Sequence, residues 1–355
     1  MIEKNWSFKP DLIGFNLTSK CNLNCKYCFE DKNSKKIDPS YDEVVTILQQ
    51  IDDFGVSEVL LEGGEIFFIP FIHRLLKILP NFNFRTHIIS NGTLIDRKLS
   101  EILKDINISI GISLDGPNPE SNILRGSNVL NKVLSGIKEL IRNDVVTYVN
   151  CTVTDSNIGL IPEFVELCQK LNVNGIVFQQ LHCSGSANAT FYKNNFSTLQ
   201  NLKSAYDIYK VLQQKNSEIH FVDSELFDFV KIPERYSEYC NPSIKYKPQK
   251  IFRCAAGRRF CMITSNLDVI PCGIIENFPC GNLREADLKS IWENSENLNY
   301  IRNISEIRVD NIEGCKQCVY KPICDGGCRG DMFNYSGDWF ATHIFCPYSN
   351  GYSQH

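Results

Sequence analysis

No segment of this 355-residue chain is apolar enough, for long enough, to cross a bilayer as a helix, so nothing in it reads as a membrane anchor. It opens Met-Ile-Glu-Lys-Asn-Trp, without the charged-then-apolar run and small-residue cleavage site of a secretory signal, so a cytoplasmic location is expected. Positive charge is in short supply. The 37 Lys and Arg against 41 Asp and Glu leave a formal net charge of -4, which argues against nucleic acid or an anionic membrane as partner. There is no low-complexity tract, and no internal repeat of fixed period beyond an alternation of strand-like and helix-like segments. Cysteine is the opposite case. Sixteen cysteines in a chain without an export signal point away from disulfides and toward metal ligands in a reducing compartment.

The length and a hydrophobic content of 43% allow two or three domains or one elaborated barrel. A strand over Leu12 to Leu17 runs into a cysteine loop. Ser40-Tyr-Asp-Glu43 then forms a capping box before Val44, Ile47, Leu48, Ile51 and Phe54, which recur at helical spacing. Val59 to Leu61, Thr86 to Ile89, Ile106 to Ile112, Val145 to Val153 and Gly175 to Phe178 also read as strands. Helices between them carry Phe71, Leu75, Leu76 and Leu79, and span Val129 to Ile141. Six strand-helix repeats predict a parallel α/β barrel or open sheet over residues 1–183, with ligand loops at the carboxyl ends of the strands. From Ser184 to Lys250 the rhythm breaks into a bridge holding one helix from Leu199 to Leu212. Residues 251–355 form a third region, dense in cysteine, which metal must organise more than apolar area does.

Cys21, Cys25 and Cys28 lie on one short loop and can reach a single metal centre. Thiolates select zinc, copper(I) or iron-sulfur clusters, and three of them leave one iron of a four-iron cluster free. Gly63-Gly64-Glu65 follows a strand, where glycines let backbone approach a ligand and a carboxylate can accept from an ammonium group. Read alone, it is equally a tight turn with a solvated glutamate. Ser90-Asn91-Gly92-Thr93 and Ser113-Leu-Asp115-Gly116-Pro117 also end strands, and each could be an Asx-type turn. Downstream stand Cys254, Cys261, Cys272, Cys315, Cys318, Cys324, Cys328 and Cys346, whose paired spacings also suit zinc. Of the remaining cysteines, Cys151 in a strand and Cys168 on a helix face suit packing. Cys280 competes with Cys261 as a ligand, and Cys183, after Gln179, Gln180 and His182 at the end of the sixth strand, is expected to face the active mouth.

The CxxxCxxC loop, with Tyr27 before its last cysteine, resembles the signature of radical S-adenosylmethionine (SAM) enzymes. The resemblance implies a partial (β/α)6 TIM-like barrel, a four-iron cluster chelated by SAM at its open iron, and a 5′-deoxyadenosyl radical that takes hydrogen from substrate. It also implies SAM contacts at Tyr27, Gly63, Gly64, Glu65, Ser90, Asn91, Ser113, Asp115 and Arg125, with Arg125 pairing with the methionine carboxylate. Ile66 stands where the family usually has proline, and the histidine usual between Pro117 and Arg125 is absent. The C-terminal array resembles a SPASM domain, which implies two auxiliary four-iron clusters and so three 4Fe-4S clusters in all. Cys254, Cys261, Cys272 and Cys328 would hold one, and Cys315, Cys318, Cys324 and Cys346 the other. Leu267 stands where relatives place glycine, with Asn266 and Asp268 able to make that turn.

Such relatives chiefly modify ribosomally made peptides, so an oxidative crosslink, thioether or carbon-carbon, is the leading expectation. An anaerobic sulfatase maturase forming formylglycine is the nearest alternative, although Gly273 replaces the aspartate that acts there as proton acceptor. A peptide epimerase, with Cys183 as catalytic hydrogen donor, and a non-catalytic zinc-binding protein are two more. The first ligand is already Cys21, so no leader-binding domain is expected ahead of the barrel. A separate leader-binding protein would present the peptide, and a flavodoxin or ferredoxin would serve as reductant.

Overall fold

The computed structural model describes residues 9–30, 36–106, 108–215, 218–240, 254–304, 309–324 and 326–349. Strand and helix alternate through β1 (Leu12–Asn16), α1 (Tyr41–Asp53), β2 (Glu58–Glu62), α2 (Ile72–Ile78), β3 (Arg85–Ser90), α3 (Arg97–Asp105), β4 (Ser109–Ser113), α4 (Leu130–Arg142), β5 (Val146–Val153), α5 (Ile161–Lys170) and β6 (Gly175–Gln180). The six strands pair in chain order, all parallel. The capping box forms as expected: the Ser40 side chain accepts from Glu43 N, and the Glu43 carboxylate accepts from Ser40 N. Helix α1 then buries Val44, Ile47, Leu48 and Ile51 against the sheet, where Ile13, Phe15, Val59 and Leu61 are fully buried. The strand expected from Ile106 begins later, because Ile106 caps α3 and the ladder starts at Ser109.

The expected bridge departs further from its sequence reading. After α6 (Ala189–Asn195) and α7 (Leu199–Lys215) comes a seventh parallel strand, β7 (His220–Ser224), paired with β6, and then α8 (Asp228–Cys240). Its sequence, HFVDS, is short and half polar, which suits an edge strand and gives little signal by itself. The rest of the bridge, 241–250, lies outside the described residues. The cysteine-rich region joins the same sheet. Its β8 (Phe260–Ile263) pairs parallel with β1, and β9 (Asp268–Ile270) and β10 (Gly281–Asn282) add antiparallel strands. One open ten-stranded sheet therefore runs β10-β9-β8-β1-β2-β3-β4-β5-β6-β7. Helices α9 (Leu288–Asn294), α10 (Glu296–Ile304) and α11 (Arg329–Ser336) follow.

The β8–β9 turn is made, but with Leu267 itself at φ 66, a left-handed conformation that costs an L-residue about 1–2 kcal/mol. Full burial of its side chain offsets that cost. Among the described residues no helix is long and apolar enough to cross a membrane.

Candidate active site and metal centres

The loop after β1 carries Cys21, Cys25 and Cys28, each half-buried. Cys21 Sγ accepts from Leu23 N at 3.3 Å and from Asn91 Nδ2 at 3.8 Å, and Cys25 Sγ lies 3.8 Å from the Arg125 carbonyl. Amide donors aimed at the Cys21 sulfur favour its thiolate, and three cysteines on one partly open loop fit an iron-sulfur cluster.

Gly63 and Gly64 are glycine for a steric reason. A Cβ on Gly64 would stand 2.4 Å from the Lys20 carbonyl oxygen, and one on Gly63 2.8 Å from that of Thr18. The backbone is pinned there, Gly64 N donating to Thr18 O at 2.6 Å and Glu65 N to Lys20 O at 2.8 Å. The segment after β2 is thus pressed against the entrance to the cysteine loop. Glu65 is 1% exposed and accepts from Ser90 Oγ and Asn91 N, both at 2.7 Å, and from Phe67 N at 3.2 Å. Burial raises its pKa while these donors oppose the rise. Asn91 in turn donates to Asn22 Oδ1 at 2.8 Å, so Glu65, Ser90 and Asn91 lock the ends of β2 and β3 to the loop. Ile66, in place of the usual proline, opens a short 3-10 turn and is fully buried.

Asp115 and Arg125 form a second buried unit. Arg125 Nε and Nη2 donate to Asp115 Oδ2 and Oδ1 at 2.9 and 2.8 Å, a bidentate pair, and the Tyr27 hydroxyl donates to the same carboxylate. Thr152 N adds a fourth donor at 3.1 Å. The fork expected to meet a methionine carboxylate is therefore engaged by Asp115, with the guanidinium 5.3 Å over the Tyr27 ring. Burial raises the Tyr27 pKa; it works against the Arg125 charge, but Asp115 more than restores that charge and raises the Arg125 pKa. Asn122, fully buried, organises the stretch that lacks the usual histidine: its carbonyl accepts from Asp115 N, and its amide donates to the Gly116 and Asn118 carbonyls. Ser113 ends β4, half-buried, opposite Asn150.

Beside the cysteine loop, Glu30 accepts from Asn16 Nδ2 and from Lys36, and Lys36 also pairs with Glu276. The other amide atom, Asn16 Oδ1, is buried with no hydrogen-bond partner among the described residues. Glu62, at the end of β2, has its carboxyl pushed up to about 8 by burial, with Glu30 adding to the effect. The folded state then keeps a proton that the unfolded chain loses above pH 4.5. The stability this proton contributes is complete below pH 4.5 and is lost as pH rises through about 8. Glu62→Gln, which mimics the protonated form, is expected to raise the thermal midpoint above pH 8 and to leave it unchanged below pH 4.5. An equal shift at both pH values would remove this account.

In the C-terminal region Cys315, Cys318, Cys324 and Cys346 line one small cavity with Tyr320 and Tyr348. Four thiols around one space fit a closed four-iron site. Cys272 lies within electrostatic reach of both Cys254 and Cys328, and burial pushes its thiol up to about 12, with Cys254 adding to the rise. Cys261, expected to be the fourth of that set, is elsewhere. Its neighbour on β8, Met262, points between Gly14 and Gly273, the residue after Cys272: a Cβ on either glycine would meet the Met262 side chain, at 3.3 and 3.0 Å. Successive strand residues face opposite sides. Cys261 thus points into the helix layer, fully buried beside Cys280 and Arg302. Cys280, the other candidate, shares that location.

The loop after β6 touches both ends of the site. Ser186 N donates to Cys28 O at 2.8 Å, and Ser184 Oγ to Gly273 O at 3.4 Å. Cys183, at the start of this loop, is 2% exposed, its N–H donating to Asp331 Oδ1 at 2.8 Å and its carbonyl accepting from Asn334. Burial and Asp331 push its thiol up to about 11. Sequence reasoning missed Asp331, fully buried at the start of α11, where it also accepts from His182 Nδ1 at 3.0 Å and Tyr192 Oη at 3.3 Å. Its one signal is its place three residues after Cys328, and an acid in a first helical turn ordinarily reads as solvated.

Residues 15–168 match the radical SAM superfamily, and residues 254–319 match SPASM, an iron-sulfur cluster-binding domain. An AdoMet-dependent heme synthase of Methanosarcina barkeri is 25% identical, the match covering 96% of this chain and 97% of the relative. A PqqA peptide cyclase of Rhodopseudomonas palustris is 24% identical over 98% of this chain and 91% of its own length. Among solved structures, Streptococcus suis SuiB bound to precursor peptide SuiA superposes with a TM-score of 0.76 at 21% identity, over 95% of this chain and 76% of SuiB. At that identity the likeness is one of fold.

Proposed function

The chain is a radical SAM enzyme with a SPASM domain, and from that premise we propose that it oxidatively modifies a ribosomally made peptide, closing a thioether or carbon-carbon crosslink. The observation that carries this reading is the loop after β6, which touches the Cys28 carbonyl on one side and Gly273, beside Cys272, on the other. Closing a crosslink takes from the peptide one hydrogen atom, one proton and one further electron, so a second redox group must lie close to the first. When bound, the clusters supply the electron that splits SAM into the 5′-deoxyadenosyl radical and a place for the electron the product gives up. Three four-iron clusters are part of the proposal.

Within this reading Gly63, Gly64 and Glu65 present backbone and carboxylate where the SAM amino group would lie, with Ser90 and Asn91 holding Glu65 in place. Ser113, Asp115, Arg125 and Tyr27 wall the opposite side. Asn16 Oδ1 and the Glu30–Lys36–Glu276 group offer polar contacts near the mouth. A separate protein presents the peptide leader, and a flavodoxin or ferredoxin delivers electrons. The PqqA cyclase likeness supports a peptide substrate. The protonated Cys183 thiol favours a second reading, epimerisation, because the thiol form is the one that can return a hydrogen atom.

The test is coexpression with the small peptide encoded beside the gene, followed by mass spectrometry. A crosslink appears as loss of two hydrogens. Epimerisation appears as unchanged mass with deuterium taken up from heavy water, abolished by Cys183→Ala. A chain that leaves each such peptide unaltered and converts a porphyrin instead would place it with the heme synthases and end the peptide reading.

A further inference from the structure

Cys272 lies within electrostatic reach of both Cys254 and Cys328, and Cys261, turned into the helix layer, cannot complete that set. A four-iron centre held by these three sulfurs leaves one iron open to a group from elsewhere. The structure offers one. An imidazole nitrogen of His182, the Cys328 sulfur and a carboxylate oxygen of Asp331 all lie within 4.8 Å of one another.

Asp331 is already committed as an acceptor: one oxygen takes the Cys183 N–H, and the other takes His182 Nδ1 and the Tyr192 hydroxyl. An imidazole that donates from Nδ1 to a buried carboxylate presents the lone pair of Nε2 outward, the arrangement by which second-sphere carboxylates fix histidine ligands on metals. Nε2 has no hydrogen-bond partner among the described residues. The side chain is 28% exposed, so it is not sealed in the core as Cys261 is. Histidine replacing cysteine on an iron-sulfur centre is established chemistry and raises the potential of that centre.

We propose that His182, through Nε2, is the fourth ligand of the auxiliary centre held by Cys254, Cys272 and Cys328, with Asp331 as the residue that orients it. The inference rests on the family assignment and is independent of the peptide reading. It puts a nitrogen-ligated, higher-potential centre on the loop that also touches Cys28, where it is suited to accept an electron.

The experiment uses full-length protein, prepared anaerobically, with Cys21, Cys25 and Cys28 replaced by alanine so that the first cluster is silent. Pulsed electron paramagnetic resonance of the reduced protein is expected to show a strongly coupled nitrogen that changes from 14N to 15N on labelling with 15N-histidine. His182→Cys should keep the iron, lose the coupling and lower the midpoint potential of one centre. Asp331→Asn should shift that potential with iron content unchanged. Cys261→Ala should leave iron, coupling and potential as they were. Absence of histidine nitrogen coupling overturns the proposal, as does its survival in His182→Cys. Loss of one cluster's iron in Cys261→Ala, with none lost in His182→Ala, would return the fourth position to the thiol.

Discussion

Alanine at Cys21, Cys25 and Cys28 together is expected to remove about one third of the bound iron, from roughly twelve per chain to roughly eight, and all SAM cleavage. The size of the effect follows from the separation of the sites. The three thiols share one loop after β1, while the other candidate ligand cysteines are in the C-terminal region, four of them around a cavity of their own. Cys151 is not free to take over, since its thiol is buried and donates to the Asp115 carbonyl at 3.6 Å. Iron assay, the visible spectrum and 5′-deoxyadenosine release read the outcome. A colourless parent protein with near-stoichiometric zinc, or a triple variant that still cleaves SAM, would refute it.

The largest effect on stability is expected at Asp115. Its carboxylate is 3% exposed and takes four donors, two from Arg125 and one each from Tyr27 and Thr152. Asp115→Leu leaves a buried guanidinium without its counter-ion, which typically costs about 3–5 kcal/mol, together with two donors that lose their acceptor. Asp115→Leu with Arg125→Met removes both charges and should recover most of that loss, because a buried ion pair replaced by apolar groups is close to neutral. Urea unfolding of the three proteins, at matched iron content, separates the terms. A single variant within about 1 kcal/mol of the parent, or a double variant no better than the single, would show that the pair is not the anchor of this region. SAM binding should fail in both variants, since the same pair positions Tyr27 and the end of β4.

The parts of this protein that could be read directly from its residues are those in which chemistry depends on neighbours along the chain. The CxxxCxxC loop, Gly63-Gly64-Glu65, Ser90-Asn91 and Asp115 each sit within a few residues of a strand end. Strand, turn and ligand are all encoded there in consecutive positions. The capping box before α1 and the six parallel repeats were legible for the same reason. Cys315, Cys318 and Cys324 share one cavity because short spacings leave such thiols little freedom to part, whereas Cys346, 22 residues further on, is brought there by the fold.

What only the tertiary structure decided turns on which way a residue faces and what folds over it. Cys261 has a ligand's spacing, but the two-residue period of β8 gives the site-facing side to Met262 and sends the thiol into the helix layer. Arg125 has the fork for a free carboxylate, and the fold fills that fork with Asp115, ten residues earlier. The seventh strand exists because the edge of β6 accepts it, since its own five residues carry little preference. His182 and Asp331 are 149 residues apart and meet only when the end of β6 and the start of α11 are brought together, a pairing that local sequence cannot encode.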